Sequence, residues 1–178
     1  MVAKSLVKLI DEAIIPAAAL IAAKMLGILA SAYFLHLPLI VTKSDFLFFL
    51  PAVHFLNLND YISAENFANT LLLTVVCLGT TIVLIRAHFF HANHINPKFH
   101  AKLARLNLES LITPSYHLYH QALIWLVFLW MTVAFLTFNA FSKVTHYQIA
   151  IASVVIAANL TWLFAKDVEK ETQDSYAA

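Results

Sequence analysis

Residues 86–120, RAHFFHANHINPKFHAKLARLNLESLITPSYHLYH, join the two most apolar segments of the chain. This connection holds four of the eleven basic residues and six of the nine histidines, namely His88, His91, His94, His100, His117 and His120. The sequence on each side is apolar over lengths near the roughly 20 residues that a helix needs to cross a bilayer. The connection therefore joins two membrane-spanning halves.

The composition agrees with a protein embedded in lipid. Hydrophobic residues make up 61% of the 178 residues, and charged residues only 12%, against about 25% in an average soluble domain. This length allows a single membrane domain, residues 1–178. The net charge of +1 gives no reason to expect nucleic acid as a partner. The single Cys77 excludes an intramolecular disulfide and any CxxC motif.

The apolar runs predict an all-α integral membrane protein with four transmembrane helices, at about residues 13–35, 66–87, 120–141 and 145–165. Ser63 resembles the N-cap of the second helix, which should end before Pro97 because proline displaces its preceding residue from helical geometry. The segment 45–60 contains Pro51 and is too short to span, so an interfacial or re-entrant segment is expected. A cleaved signal peptide is the alternative for the first span, because Ala30-Ser31-Ala32 has the form of a cleavage site.

Between the second and third spans, Pro97 is typical of the first position of a helix. Basic side chains recur along one stripe of the following residues, at Lys98, Lys102 and Arg105, while apolar residues occupy another stripe. This pattern predicts a cytoplasmic interfacial amphipathic helix over residues 97–112 that lies on a membrane with anionic head groups.

The basic residues also predict the orientation. With the N-terminus inside, the inner flanks hold eight Lys and Arg residues and the outer flanks two, Lys43 and Lys143. The positive-inside rule then places both termini and the 166–178 tail in the cytoplasm. We expect a bacterial inner membrane, although another cytoplasm-facing bilayer would fit the same pattern.

Small residues recur on three spans and predict close helix packing, because lipid removes the hydrophobic drive between helices. The first span has Ala19, Ala23, Gly27 and Ser31, the second Thr70, Thr74, Cys77 and Thr81, and the fourth Ala150, Ser153, Ala157 and Thr161. The third span is bulky and aromatic, so we expect it to fill a groove or face lipid. The stripe on the first span could instead serve a partner protein.

Lys24 is the only charged residue in the interior of the predicted spans, since Arg86 lies at the inner end of the second. Intramembrane charges are expensive and often functional, so Lys24 could bind an anion, face a water-filled cavity or pair with a partner subunit. The alternative is a shifted span, residues 25–42, from which Lys24 reaches the interface. The lack of Asp or Glu within these spans argues against proton- or sodium-coupled transport.

Histidines three residues apart share a helix face, and two such groups lie at the two ends of the cytoplasmic connection. Antiparallel helices could bring His88, His91, His117 and His120 together as ligands for a metal or haem. His36 and His146 form a second candidate pair, at the outer boundary. The alternative is that the histidines only anchor helix ends in the interface, since no HExxH motif or nearby carboxylate accompanies them.

These features favour a small non-catalytic membrane scaffold or accessory subunit that packs with itself or with a larger membrane complex, and no cofactor is required for that role. A histidine-ligated metal or haem protein, such as an electron-transfer or oxidoreductase subunit, is the alternative. A small pore or anion-handling protein that uses Lys24 is a third hypothesis.

Overall fold

A computed structural model describes residues 2–43, 51–89, 97–106 and 115–177. In this part of the chain the elements are α1 (Val2–Phe34), β1 (Leu39–Lys43), β2 (Pro51–Phe55), α2 (Leu58–Phe89), α3 (Pro97–Arg105), α4 (Ser115–Phe141) and α5 (Tyr147–Ala177). Among the described residues, α1, α2, α4 and α5 are long and apolar enough to cross a membrane. The predicted multi-pass helical architecture is therefore supported.

Helix α2 begins at Leu58, more than one turn before the predicted N-cap at Ser63. The carbonyl of Asn57 accepts the first helical hydrogen bond, from Tyr61 N at 3.1 Å. Asp60 lies in the first turn, where a negative charge favours the helix N-terminus. The Ser63 prediction was wrong, and the earlier start places Glu65 about two turns inside the helix instead of in its first turn.

The segment between α1 and α2 contains a two-stranded antiparallel sheet. Strand β1 pairs with β2 in the register Leu39↔Phe55 and Val41↔Val53. Neighbouring β-branched residues in β1 favour extended backbone. The predicted interfacial or re-entrant segment thus has a β-strand at residues 51–55, and the alternative span over residues 25–42 was wrong because α1 ends at Phe34.

Two helix ends carry a residue with left-handed backbone geometry. His36 follows α1 with φ 52° and Lys143 follows α4 with φ 60°. In each case the next amide reaches back five residues, from Leu37 N to Ala32 O at 3.0 Å and from Val144 N to Asn139 O at 2.9 Å. These are the bonds of a Schellman cap, whose left-handed position is usually glycine.

The centre of the bundle is formed by α2 and α4, with α1 packed mainly on α2 and α5 mainly on α4. Three leucines of α4, Leu118, Leu129 and Leu136, are completely buried. Bulky aromatics such as Phe138 lie on the exposed side of the same helix. We expected the third span to fill a groove or to face lipid; aromatics such as Phe138 are exposed, but the leucine face of α4 packs at the centre of the bundle.

The small residues of α1 pack within the chain. A Cβ atom on Gly27 would lie 2.6 Å from the Ala68 Cα atom, so α1 and α2 are in close backbone contact there. Ala23 and Ser31 are buried on the same face. The intrachain explanation for this stripe is confirmed.

The other two stripes differ from each other. On α5, Ala150, Ser153 and Ala157 are buried, as predicted for a packing face. On α2, Thr70 and Thr74 are exposed, and their hydroxyls donate to the carbonyls four residues earlier. The prediction of a packing face on α2 was therefore wrong for Thr70 and Thr74, whereas Cys77 packs against the buried core.

Candidate functional site

Lys24 lies inside the bundle between α1 and α2. Its ammonium group forms an ion pair with the Glu65 carboxylate and donates a hydrogen bond to Asn69 Oδ1 at 2.6 Å. Glu65 and Asn69 are four residues apart, so both lie on the same face of α2. The Phe135 ring of α4 lies 5.5 Å from the Lys24 nitrogen, within the range of a cation–π contact.

The polar network continues to the connection between α4 and α5. Asn69 Nδ2 donates to Thr145 Oγ1 at 2.5 Å, and both residues are buried. One turn earlier on α2, Asn66 Oδ1 accepts a hydrogen bond from the His146 backbone amide at 2.8 Å. We call Lys24, Glu65, Asn69 and Thr145 the Lys24 cluster.

The geometry of the Lys24 cluster suits a structural role better than an anion site. Glu65 offsets the lysine charge, and the side chains of Lys24 and Glu65 are only 22% and 11% exposed. A ligand anion would have to displace this carboxylate. In lipid, a buried polar group without partners is costly, so the cluster fixes α1, α2 and the α4–α5 connection relative to one another.

Sequence analysis found Lys24 but missed its partners. Glu65 lies one residue before the expected second span, and the assumption that the helix began near Ser63 placed it at the boundary. The sequence feature that could have identified these partners was the spacing of Glu65 and Asn69, two polar residues that a helix places on one face.

At the opposite end of the bundle, two predicted metal ligands contact carboxylates on different helices. His88 Nδ1 lies 2.6 Å from Asp167 Oδ1 of α5, and Tyr119 donates to the other oxygen of Asp167 at 3.0 Å. His120 Nε2 lies 3.6 Å from Glu12 Oε2 of α1. The carboxylates that His88 and His120 contact thus lie on different helices, α5 and α1.

The four-histidine metal site remains a prediction. His91 falls outside the described residues, and His117 lies on α4, partly buried. Among the residues that the structure describes, no three His, Cys, Asp or Glu side chains are grouped to hold a metal ion. Of the outer pair, His36 follows α1, while His146 lines a groove of about 790 Å³ beside α2.

The predicted lipid-surface residues belong to α3. Lys102 and Arg105 are exposed there, and Lys98 lies in its first turn, with a side chain outside the described part.

No protein-family model, curated protein or solved structure matches the chain.

Proposed function

We propose that the chain is a non-catalytic integral membrane scaffold or accessory subunit that packs with copies of itself or with a larger membrane complex. The carrying observation is the arrangement of the helices. The internal polar groups of the Lys24 cluster are paired within the chain, while α1 and α5 flank the α2–α4 centre and keep long apolar faces exposed. Such faces contact lipid tails or the helices of another subunit.

The exposed faces are continuous along both outer helices. On α1 they include Ile14, Ile21, Met25 and Leu29, and on α5 Ile151, Val155, Trp162 and Leu163. The basic helix α3 supports the proposal in a second way. Its exposed Lys102 and Arg105 suit the anionic head groups of the inner leaflet, which would hold the bundle at a fixed depth and orientation with both termini in the cytoplasm.

Cysteine cross-linking in native membranes tests the proposal. In a Cys77→Ser background, Met25→Cys on α1 and Ile151→Cys on α5 are oxidised before mild extraction. We expect at least one of them to give a discrete cross-linked species. The matched control, Leu129→Cys, is completely buried and should give none. A detergent-stable monomer without cross-links or co-purifying protein would contradict the proposal.

The metal or haem alternative draws support from one contact, that between His88 and Asp167. A histidine that ligates a metal commonly places its other ring nitrogen on a carboxylate, which fixes the tautomer and ring direction. The Nδ1–Oδ1 distance of 2.6 Å matches this pattern and leaves Nε2 to face a ligand.

Elemental analysis of gently purified, untagged protein tests this alternative. The alternative requires near-stoichiometric iron, zinc or copper in the native chain, and this metal should be lost in a His91→Ala/His120→Ala variant. A His54→Ala variant, at an exposed strand position, is the control and should keep its metal. Protein free of all three metals after gentle purification would exclude the alternative.

A further inference from the structure

A groove of about 490 Å³ runs between the C-terminal part of α2 and α5. Its floor and walls are largely apolar, with Leu84 and Ile85 on α2 and Leu160 and Leu163 on α5. The ionisable lining residues gather at one end, where they are His88, Lys166, Asp167 and Lys170, while the polar residue Thr81 lies among the apolar ones. The groove is therefore amphipathic along its length.

From this arrangement we propose that the groove is a binding site for one anionic phospholipid, with the phosphate held by Lys166 and Lys170 and an acyl chain along the leucine and isoleucine walls. Basic pockets between transmembrane helices on the cytoplasmic side are known to take such head groups. The orientation expected from the basic residues puts this rim at the cytoplasmic leaflet, where anionic lipids are found.

The charges at the rim favour an anion despite the presence of Asp167. Both oxygens of that carboxylate are already engaged, one with His88 at 2.6 Å and the other with the Tyr119 hydroxyl at 3.0 Å. Among the residues that line the groove, the two lysines therefore exceed the single acid.

The position of Lys166 fits the depth of a head group. Its ammonium nitrogen lies 4.1 Å from the centre of the Trp162 ring, and Trp162 is exposed on the outside of α5. Tryptophan is enriched where the hydrocarbon core meets the head groups. One turn separates the two residues, so the lysine lies at the level of lipid phosphates while Leu160 lies at the level of acyl chains.

Native mass spectrometry of the full chain released from nanodiscs tests the site. With equal phosphatidylglycerol and phosphatidylcholine, we expect one phosphatidylglycerol to be retained per chain. In a Lys166→Gln/Lys170→Gln variant its affinity should fall roughly 30-fold, since each lysine near an anionic lipid surface contributes about fivefold. The control, Lys43→Gln/Lys143→Gln, removes two charges from the predicted outer flanks and should change affinity less than twofold.

Two further variants distinguish the groove from general surface attraction. Leu160→Trp fills the apolar part and should reduce retention of the lipid while both lysines remain. Asp167→Asn removes the opposing charge and should strengthen phosphatidylglycerol binding. Equal retention of the two lipids, wild-type affinity in the Lys166/Lys170 variant, or equal loss in the Lys43/Lys143 control would overturn the proposal. The proposal does not depend on the scaffold function.

Discussion

Lys24 of α1 and Glu65 of α2, separated by 41 positions in the sequence, form an ion pair inside the helical bundle. Neither side chain has much access to the surroundings, with 22% and 11% of their surfaces exposed. Each charge partly replaces the hydration that the other has lost. Removing one of the two charges should therefore destabilise the fold, whereas removing both should cost much less stability.

Replacing Lys24 with methionine should lower the free energy of unfolding by about 3 kcal/mol, because breaking a buried pair leaves Glu65 without its cation. The double variant Lys24→Met/Glu65→Leu should recover most of this loss, since a well-packed apolar pair can replace a buried ion pair. Denaturant titration in a constant detergent measures both values.

Lys102→Met, at an exposed position of α3, is the control for Lys24→Met and should change the free energy of unfolding by no more than about 0.5 kcal/mol. A Lys24→Met variant as stable as the native chain would show that the ion pair does not stabilise the fold. Conductance or anion uptake that Lys24→Met abolishes without loss of stability would favour the anion-handling hypothesis.

Asn69 should be among the least replaceable residues of the bundle. It is completely buried, accepts from Lys24 at 2.6 Å and donates to Thr145 at 2.5 Å. Asn69→Leu leaves two buried polar groups short of a partner, which should cost about 2 kcal/mol or more.

Asn159 is the matched control for this substitution. It is exposed on α5 and its amide donates only locally, to Val155 O. Asn159→Leu should therefore be neutral within about 0.5 kcal/mol when unfolding is followed by circular dichroism. Similar losses in the two variants would mean that the Asn69 hydrogen bonds contribute little.

The sequence allowed the four long apolar helices to be predicted because length and hydropathy are local properties. The β-strand at 51–55 was harder to identify, since its register with β1 depends on a partner eight or more residues away. The start of α2 was misplaced for a related reason: Ser63 has the chemistry of a cap, but Asn57 and Asp60 have it too, and only the fold selects among them.

The candidate sites show the same division. Lys24 was identifiable because a charge within an apolar run is unusual, whereas its pairing with Glu65 depends on which faces of α1 and α2 meet. For the histidines, spacing placed His117 and His120 on one face but could not give the positions of Asp167 and Glu12, which come from distant segments. The packing of α4 through its leucine face could not be predicted, because the sequence does not show which face of this helix meets α2.

The two left-handed helix caps should be improved by glycine. His36→Gly and Lys143→Gly each remove a Cβ atom from a backbone conformation that costs about 1 kcal/mol for other residues, and both positions are exposed. Each variant should raise the free energy of unfolding by about 0.5–1 kcal/mol. Ser142→Gly, whose φ is not positive, should instead be neutral or destabilising, and equal effects at all three positions would contradict the cap assignment.

Gly27 and Gly79 should both resist alanine, but only one of the two variants should be rescued by a second substitution. On Gly79 a Cβ atom would lie 2.1 Å from the Trp125 ring, whereas on Gly27 it would lie 2.6 Å from Ala68 Cα. Each alanine should cost about 1–3 kcal/mol, as overpacking generally does. A substitution can remove the Trp125 ring, but no substitution can remove the Ala68 Cα atom.

Trp125→Leu should consequently suppress much of the Gly79→Ala defect, so that the double variant loses less stability than the sum of the single variants. Ala68→Gly should suppress little of the Gly27→Ala defect, because it removes the Ala68 Cβ atom but keeps the nearer Cα atom. Double-mutant cycles in one detergent measure both couplings. Equal suppression at the two sites would mean that α1 and α2 separate readily, contrary to the close backbone contact at Gly27.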